Sequence, residues 1–478
     1  MRRTKLALAI LALGLTLAAP AAAADLPPAE RPDEPVLTLN ESLALALEQS
    51  PRVRIAGSVL RRSEAQRDEL RSMLSPSITL NGGLDRGLVT NQSLGLNQPT
   101  TQAQVTLGYG QVIARSEPIR LSLELGDVGV RAAAFQEQSE KLAVLANVVS
   151  AYVAVLEAES ALELSRIYAR NSEAAARIAA DRLEVGTATE ADLLAAQAAE
   201  ARARQGVSVA EDALSLARDA LLQTLGVDAE AVGGEGFRLE PIDTLATMFA
   251  LDESLDTISA RALRSRPEIL QAELALEAAR LKLQQYKADS RPQAEVRASF
   301  AGADGGPALS LTLTDRGQLS GGVTQTHTFD DHLADGGIPP NDRWQVGVGF
   351  RWNLADGGAK KARLAQLQEE VKEAELRLAD VKSQLAVALA KQYSDVVHAL
   401  QELAVADQEL LEARTRYQAV ERQLEAGTAA QIDLWQAEAQ LVQARHDRVL
   451  ALGRLIRAQA SLAVASGLTA EELIGRED

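Results

Sequence analysis

The feature that most constrains this chain is an internal duplication tied to two long stretches almost free of helix breakers. Leu183-Glu184-Val185-Gly186-Thr187-Ala188 returns 241 residues later as Leu424-Glu425-Ala426-Gly427-Thr428-Ala429. Tyr152 and Asp192-Leu193 return at the same offset as Tyr393 and Asp433-Leu434. Ser50-Pro51 and Ser75-Pro76 also return, as Arg266-Pro267 and Arg291-Pro292, but 216 residues later. The difference, about 25 residues, must lie between Pro292 and Trp344, in a stretch rich in Gly, Thr and Asp; a loop inserted at a surface tip is the expectation. The spacing from Arg115 to Gly186 equals that from Asp356 to Gly427. Roughly 69 residues of helix at about 1.5 Å each make a rod of roughly 100 Å, which no compact globular domain contains.

These landmarks divide the chain into a leader at 1–24, a first unit at 25–226, a linker at 227–256, a second unit at 257–467 and a C-terminal tail at 468–478. Each unit reads as helix, two strands and a long helical hairpin. Thr38 and Glu41 have capping-box spacing ahead of Leu43, Leu45 and Leu47, Pro51 interrupts, and a second helix runs to about Met73. Strand-like alternation covers Ser77 to Leu80, Gln104 to Val112, Ala294 to Phe300, Ala308 to Leu313 and Gln345 to Trp352. In the rods, Leu364, Leu367, Val371, Leu378, Val381, Leu385 and Ala388 alternate steps of three and four, as do Leu193, Ala196, Ala203, Val207 and Ala210, which signals coiled-coil packing. Gly233, Gly234, Gly236 and Pro241 break the pattern between the units, so the linker is expected to have little structure of its own.

The leader carries Arg2, Arg3 and Lys5 ahead of an apolar run from Leu6 to Ala18 and small residues before Asp25, the pattern of a cleaved signal peptide. Losing those three basic residues takes the formal charge from −17 to −20, which disfavours nucleic acid as a partner. There is no cysteine, so thiol chemistry and disulfides are excluded. Past the leader, no run of 18 fully apolar residues occurs; the nearest, Leu142 to Leu156, holds Asn147 and Ser150. A membrane crossing by the mature chain would therefore use a closed β-barrel, the other structure that pairs every backbone group in lipid.

Two units of helix, strand pair and long hairpin behind a signal peptide resemble the TolC-like outer-membrane efflux protein family over essentially the whole mature chain. The most specific elements are the paired tips, Val185-Gly186-Thr187 before Asp192-Leu193-Leu194 and Ala426-Gly427-Thr428 before Asp433-Leu434. The resemblance implies an α+β membrane protein: a homotrimer whose subunits each give four strands to a twelve-stranded transmembrane β-barrel in outer-membrane lipid, with a long coiled-coil α-helical barrel in the periplasm. It implies a passive exit duct for tripartite efflux or type I secretion, working with a periplasmic adaptor (membrane fusion protein) and an inner-membrane transporter. A periplasmic structural or adaptor-type coiled-coil protein is the alternative, although such a protein would carry one hairpin rather than two.

Through the same resemblance, Asp433 matches a periplasmic entrance aspartate, Asp192 is its counterpart in the first unit, and Gln436 stands where the family has a second aspartate. The other reading of each aspartate is a cap of the returning helix near its start, where the helix dipole favours a carboxylate. Val185, Gly186, Thr187, Ala426, Gly427 and Thr428 are implied as adaptor-docking tips; as plain hairpin turns they need only glycine at positive φ. Tyr152 and Tyr393 read as packing residues, and His398 and His446 as isolated rod positions. His327 and His332 with Asp330, Asp331 and Asp335 match no ligand spacing and read as a solvated loop. Trp344, Phe350 and Trp352 fit an interfacial aromatic belt. No phosphate loop, ligand cluster or serine elbow occurs, so neither catalysis nor a cofactor nor a resident metal is expected.

Overall fold

A computed structural model describes residues 36–91, 96–232, 237–250, 253–302, 306–328, 343–352 and 355–474. The expected leader and Asp330, Asp331, His332 and Asp335 lie outside them. A short strand β1 (Val36–Leu37) leads to helices α1 (Leu39–Gln49) and α2 (Pro51–Ser72). The expected capping box forms: the Thr38 hydroxyl accepts from the Glu41 amide at 3.2 Å, and the Glu41 carboxylate accepts from the Thr38 amide at 2.9 Å. Strands β2 (Ser77–Asn91) and β3 (Leu96–Val112) follow, then α3 (Glu117–Glu184) and α4 (Glu190–Leu225). Beyond β4 (Arg238–Leu239), α5 (Leu255–Ser265) and α6 (Pro267–Asp289) lead to β5 (Gln293–Ala301), β6 (Ala308–Thr314), β7 (Gln318–Thr328) and β8 (Arg343–Arg351). Helices α7 (Ala359–Glu425), α8 (Gln431–Ala465) and α9 (Ala470–Ile474) complete the described chain.

The rods α3 and α7 have 68 and 67 residues, each about 100 Å long. Rod α3 packs along α2, α4, α6 and α8, and rod α7 packs along α6 and α8. Glycine makes the end-to-end junctions possible. Gly226 closes α4 at φ 77°, and a Cβ there would lie 2.7 Å from the Gln49 carbonyl oxygen, so the end of α4 abuts the start of α2. Gly467, at φ 83°, seats the end of α8 against Ala262 and Ser265 in the same way.

The main core lies where these junctions meet α3. Leu142, Leu145, Val148, Val149, Tyr152 and Val153 are buried there against Leu39, Leu43, Leu221, Leu225, Leu452 and Ile456. By length and composition α3 contains a stretch able to cross a membrane, but half of that stretch is buried in protein. Its apolarity serves this core. The linker, expected to have little structure of its own, is built into the core. Two 3-10 turns, Ala229–Val232 and Ile242–Thr247, flank β4, which pairs in parallel with β1, and Phe237, Ile242, Leu245 and Phe249 are buried in the core. Tyr152 pins this region: its hydroxyl donates to the Leu37 carbonyl at 2.7 Å and accepts from the Glu240 amide at 2.8 Å.

The large sheet also departs from expectation. Its order is β2-β3-β7-β6-β5-β8, all neighbours antiparallel, so the described residues form one sheet of six strands where four were expected. The described residues between β5 and β8 are not a loop at a tip. They form β6 and β7, a hairpin laid between β3 and β5.

Candidate entrance and channel wall

At the far end of the rods the two tips are built alike. Gly186 and Gly427 sit at φ 75° and 70°, where a side chain would be strained, and they reverse the chain after α3 and α7. The amide and hydroxyl of Thr187 both donate to the Arg182 carbonyl, at 2.8 and 3.1 Å. Thr428 repeats this on Gln423 at 2.8 and 3.0 Å. The glycines and threonines thus satisfy orphan carbonyls at the rod ends. Val185 is 72% exposed, and Gly186, Ala426 and Gly427 are exposed with it.

The aspartates beyond the turns are caps in both hairpins. The Asp192 carboxylate accepts from the Thr189 amide at 2.9 Å and hydroxyl at 2.7 Å, and the Asp192 amide donates back to that hydroxyl at 3.2 Å. The backbone bond, then the hydroxyl bond, hold the Asp192 carboxyl below the ordinary carboxylate range. Asp433 makes only half of this box, accepting from the Ala430 amide at 2.9 Å, because alanine has no hydroxyl to return the bond. Asp433, Gln436 and Gln440 fall at i, i+3 and i+7 on α8 and are all exposed, so they form one polar stripe.

Contacts between α3 and α8 tie the hairpins together just behind the tips. Asn171 Nδ2 donates to the Trp435 carbonyl at 3.0 Å, Arg170 faces Glu438 at 3.7 Å, and Tyr168 Oη donates to Gln443 at 3.4 Å. Sequence reading missed these residues, since periodicity gives a helix's own apolar face but not which neighbour its polar residues meet. Tyr152 is buried as a packing residue, and Tyr393 packs against the smaller core of Ile258, Leu389 and Leu462. Among the described residues no group of three or more His, Asp or Glu is placed to hold a metal ion. His327 lies in β7, and His446 Nδ1 is 3.2 Å from Ser160 Oγ.

At the other end, the sheet has two unlike faces. Ile78, Leu80 and Leu84 on β2, Val105 and Leu107 on β3, Leu309 and Leu311 on β6, and Trp344, Val346, Val348 and Phe350 on β8 are exposed large apolar residues. Register puts them on one face, with Leu80 opposite Leu107 and Phe300 opposite Trp344. The opposite face carries Thr106 and Thr324, whose hydroxyls are 3.1 Å apart, and an Arg297–Glu295 ion pair at 2.6 Å. From Trp344 to Trp352, at about 3.3 Å per residue, the chain runs roughly 26 Å, which at a barrel-strand tilt of about 40° spans about 20 Å, most of the height of an apolar band edged by aromatic girdles. A folded sheet that shows water one polar face and one broad apolar face is suited to line a pore and meet lipid.

A family model described as outer membrane efflux protein matches residues 43–227 and 258–468. Protein CyaE of Bordetella pertussis is 27% identical over 455 residues, covering 92% of this chain and 86% of that protein. Among solved structures, the outer membrane protein VceC from Vibrio cholerae superposes with a TM-score of 0.65 at 16% identity, covering 90% of this chain and 96% of that one. The Campylobacter jejuni CmeC outer membrane channel has a TM-score of 0.65 at 15% identity, covering 97% of this chain and 98% of that one. With both rod hairpins and both strand groups inside the matched segments, the chain belongs to the outer membrane efflux protein family.

Proposed function

We propose that three copies of the chain assemble into one conduit that spans the outer membrane as a β-barrel and continues through the periplasm as a tunnel of helices. One observation carries this: a single sheet, apolar on one face and open at both edges, stands on helical rods of about 100 Å. Transmembrane barrels begin at about eight strands, so six cannot close alone. Strand β2 and β8, at the two edges, run in opposite directions, so β8 of one copy can continue the antiparallel pairing on β2 of the next. The duct does no chemistry. An inner-membrane transporter supplies energy and a periplasmic adaptor docks at the tips, on Val185, Gly186, Thr187, Ala426, Gly427 and Thr428.

In this reading the exposed stripe of Asp433 and Gln436 rings the periplasmic mouth, with Asp192 on the outer hairpin. Three carboxylates brought close together repel one another and attract cations. The links from Asn171 and Arg170 to α8 hold the second hairpin against the first.

The test is to purify the mature chain from outer membranes, weigh the particle by light scattering and record conductance in planar bilayers. A particle of three copies with small, cation-selective conductance is expected, and Asp433→Ala should raise conductance or lose selectivity. Unchanged conductance in that variant would remove the entrance assignment while keeping the duct. A monomer that never enters a bilayer would favour a periplasmic coiled-coil protein.

A further inference from the structure

We propose that the exit barrel has eighteen strands, six from each of three copies, and that the β6–β7 hairpin sets its width. The number rests on the trimeric reading above; the place of the hairpin in the wall does not.

Three observations put the hairpin in the wall. First, it is paired along both sides, β7 with β3 from Gln102 to Val112 and β6 with β5 from Glu295 to Ala301. In a four-strand sheet β3 and β5 would be neighbours; here two strands separate them. Second, its side chains continue the alternation of the flanking strands. Leu309, Leu311, Leu313 and Val323 are exposed on the apolar face, aligned by register with Val296 and Phe300 on one side and Leu107 on the other. Ser310, Thr312, Ser320 and Thr324 fall on the polar face. A loop in water has no use for such a stripe, whereas a lipid-facing wall requires it. Third, the turn between the strands is anchored at the level where the rods begin. The amides of Ile113 and Ala114 donate to the Gly317 carbonyl at 2.8 and 3.3 Å, Arg316 pairs with Asp289 at 3.0 Å, and Gly317 holds φ 74° against the Ala114 backbone. The hairpin therefore returns to the rod end of the sheet instead of stopping at its outer rim.

Barrel diameter grows roughly linearly with strand number, so eighteen strands give about 1.5 times the width of twelve, and barrels of about 16–18 strands enclose an open aqueous channel. The polar face that would line it carries small residues, Thr, Ser and Gly, with Glu295 offset by Arg297. Such an exit imposes no tight size limit on cargo, and selection falls to the helical end.

The absence of native cysteine makes introduced pairs unambiguous. In outer membranes, Leu107→Cys with Val323→Cys should form an intramolecular disulfide, and Leu107→Cys with Val296→Cys, Ala298→Cys or Phe300→Cys should not. A fluorophore on Leu311→Cys should be quenched by brominated lipid at least as strongly as one on Val348→Cys. A β3–β5 cross-link, or no lipid quenching at position 311, would overturn the hairpin's place in the wall. Light scattering on the same samples separates the two ideas: a particle of other than three copies ends the trimeric reading and the count of eighteen, while the cross-links still place the hairpin.

Discussion

Tyr152 ties the segment around β4 to the rod α3. Its ring is buried and its hydroxyl bridges the Leu37 carbonyl and the Glu240 amide, joining β1 and the segment around β4 to α3. Tyr152→Phe keeps the ring and strands both backbone groups, so a loss of about 1–3 kcal/mol is expected in thermal or denaturant unfolding. Burial, the largest cause, raises the Tyr152 phenol well above its ordinary value near 10. A group whose folded pKa is raised gives stability that is complete below its unfolded pKa and lost as pH rises beyond it. The gap in stability between wild type and Tyr152→Phe should therefore hold at neutral pH and narrow above about pH 10. Asp192 has the opposite sign. Its lowered pKa means the cap is complete above the ordinary carboxylate value of about 4 and is lost as pH falls through the depressed one. Hydrogen exchange in the first turn of α4, corrected for intrinsic rate, should quicken on acidification, and Thr189→Ala should move that onset to higher pH.

Among elements, the junctions and tips make different demands on the same glycine conformation. Gly186 has open space around a hypothetical Cβ, so Gly186→Ala adds only the strain of a left-handed residue, about 1 kcal/mol. Gly226 adds a backbone clash with Gln49, so Gly226→Ala should unfold at a clearly lower temperature than Gly186→Ala. The rods were legible because their signal is long: many apolar steps of three and four, with equal length between matched glycines. The segment around β4 was not. Its breakers Gly233, Gly234, Gly236 and Pro241 conceal that Phe237, Ile242, Leu245 and Phe249 have a core to enter, which local pattern does not reveal. For β6 the alternation of Leu309, Leu311 and Leu313 was readable, but β7 holds Gly321 and Gly322 where large residues would have marked the period. Its identity as a strand comes from β3 and β6 on either side, a tertiary fact. At the tips, the turn chemistry of Gly186, Thr187, Gly427 and Thr428 was legible from the duplicated hexamer, whereas the link from Asn171 to α8 depends on how the hairpins are rotated against each other.

For the molecule as a whole, the decisive physical question is which sheet face meets hydrocarbon, because the same sheet would be a liability in water. A broad apolar face open at both edges invites aggregation unless lipid covers the face and copies of the chain close the edges. Val348 stands midway along β8 between Trp344 and Trp352 and is 79% exposed on the apolar face. Ser299, one strand away and opposite Gln345, belongs to the polar face. Arginine at the midplane of a barrel's lipid face costs about 2–4 kcal/mol, while lumen positions tolerate charge. Val348→Arg should therefore cut the yield of assembled channel in outer membranes, read as loss of the band that resists mild detergent on a gel, whereas Ser299→Arg should assemble normally and alter ion selectivity. If the two variants instead assembled equally well, the apolar face would not be facing lipid, and the sheet would have to be covered by protein. If Ser299→Arg failed while Val348→Arg assembled, the assignment of the two faces would be reversed, placing the threonine and serine side toward the bilayer, against the cost of burying unpaired hydroxyls in hydrocarbon.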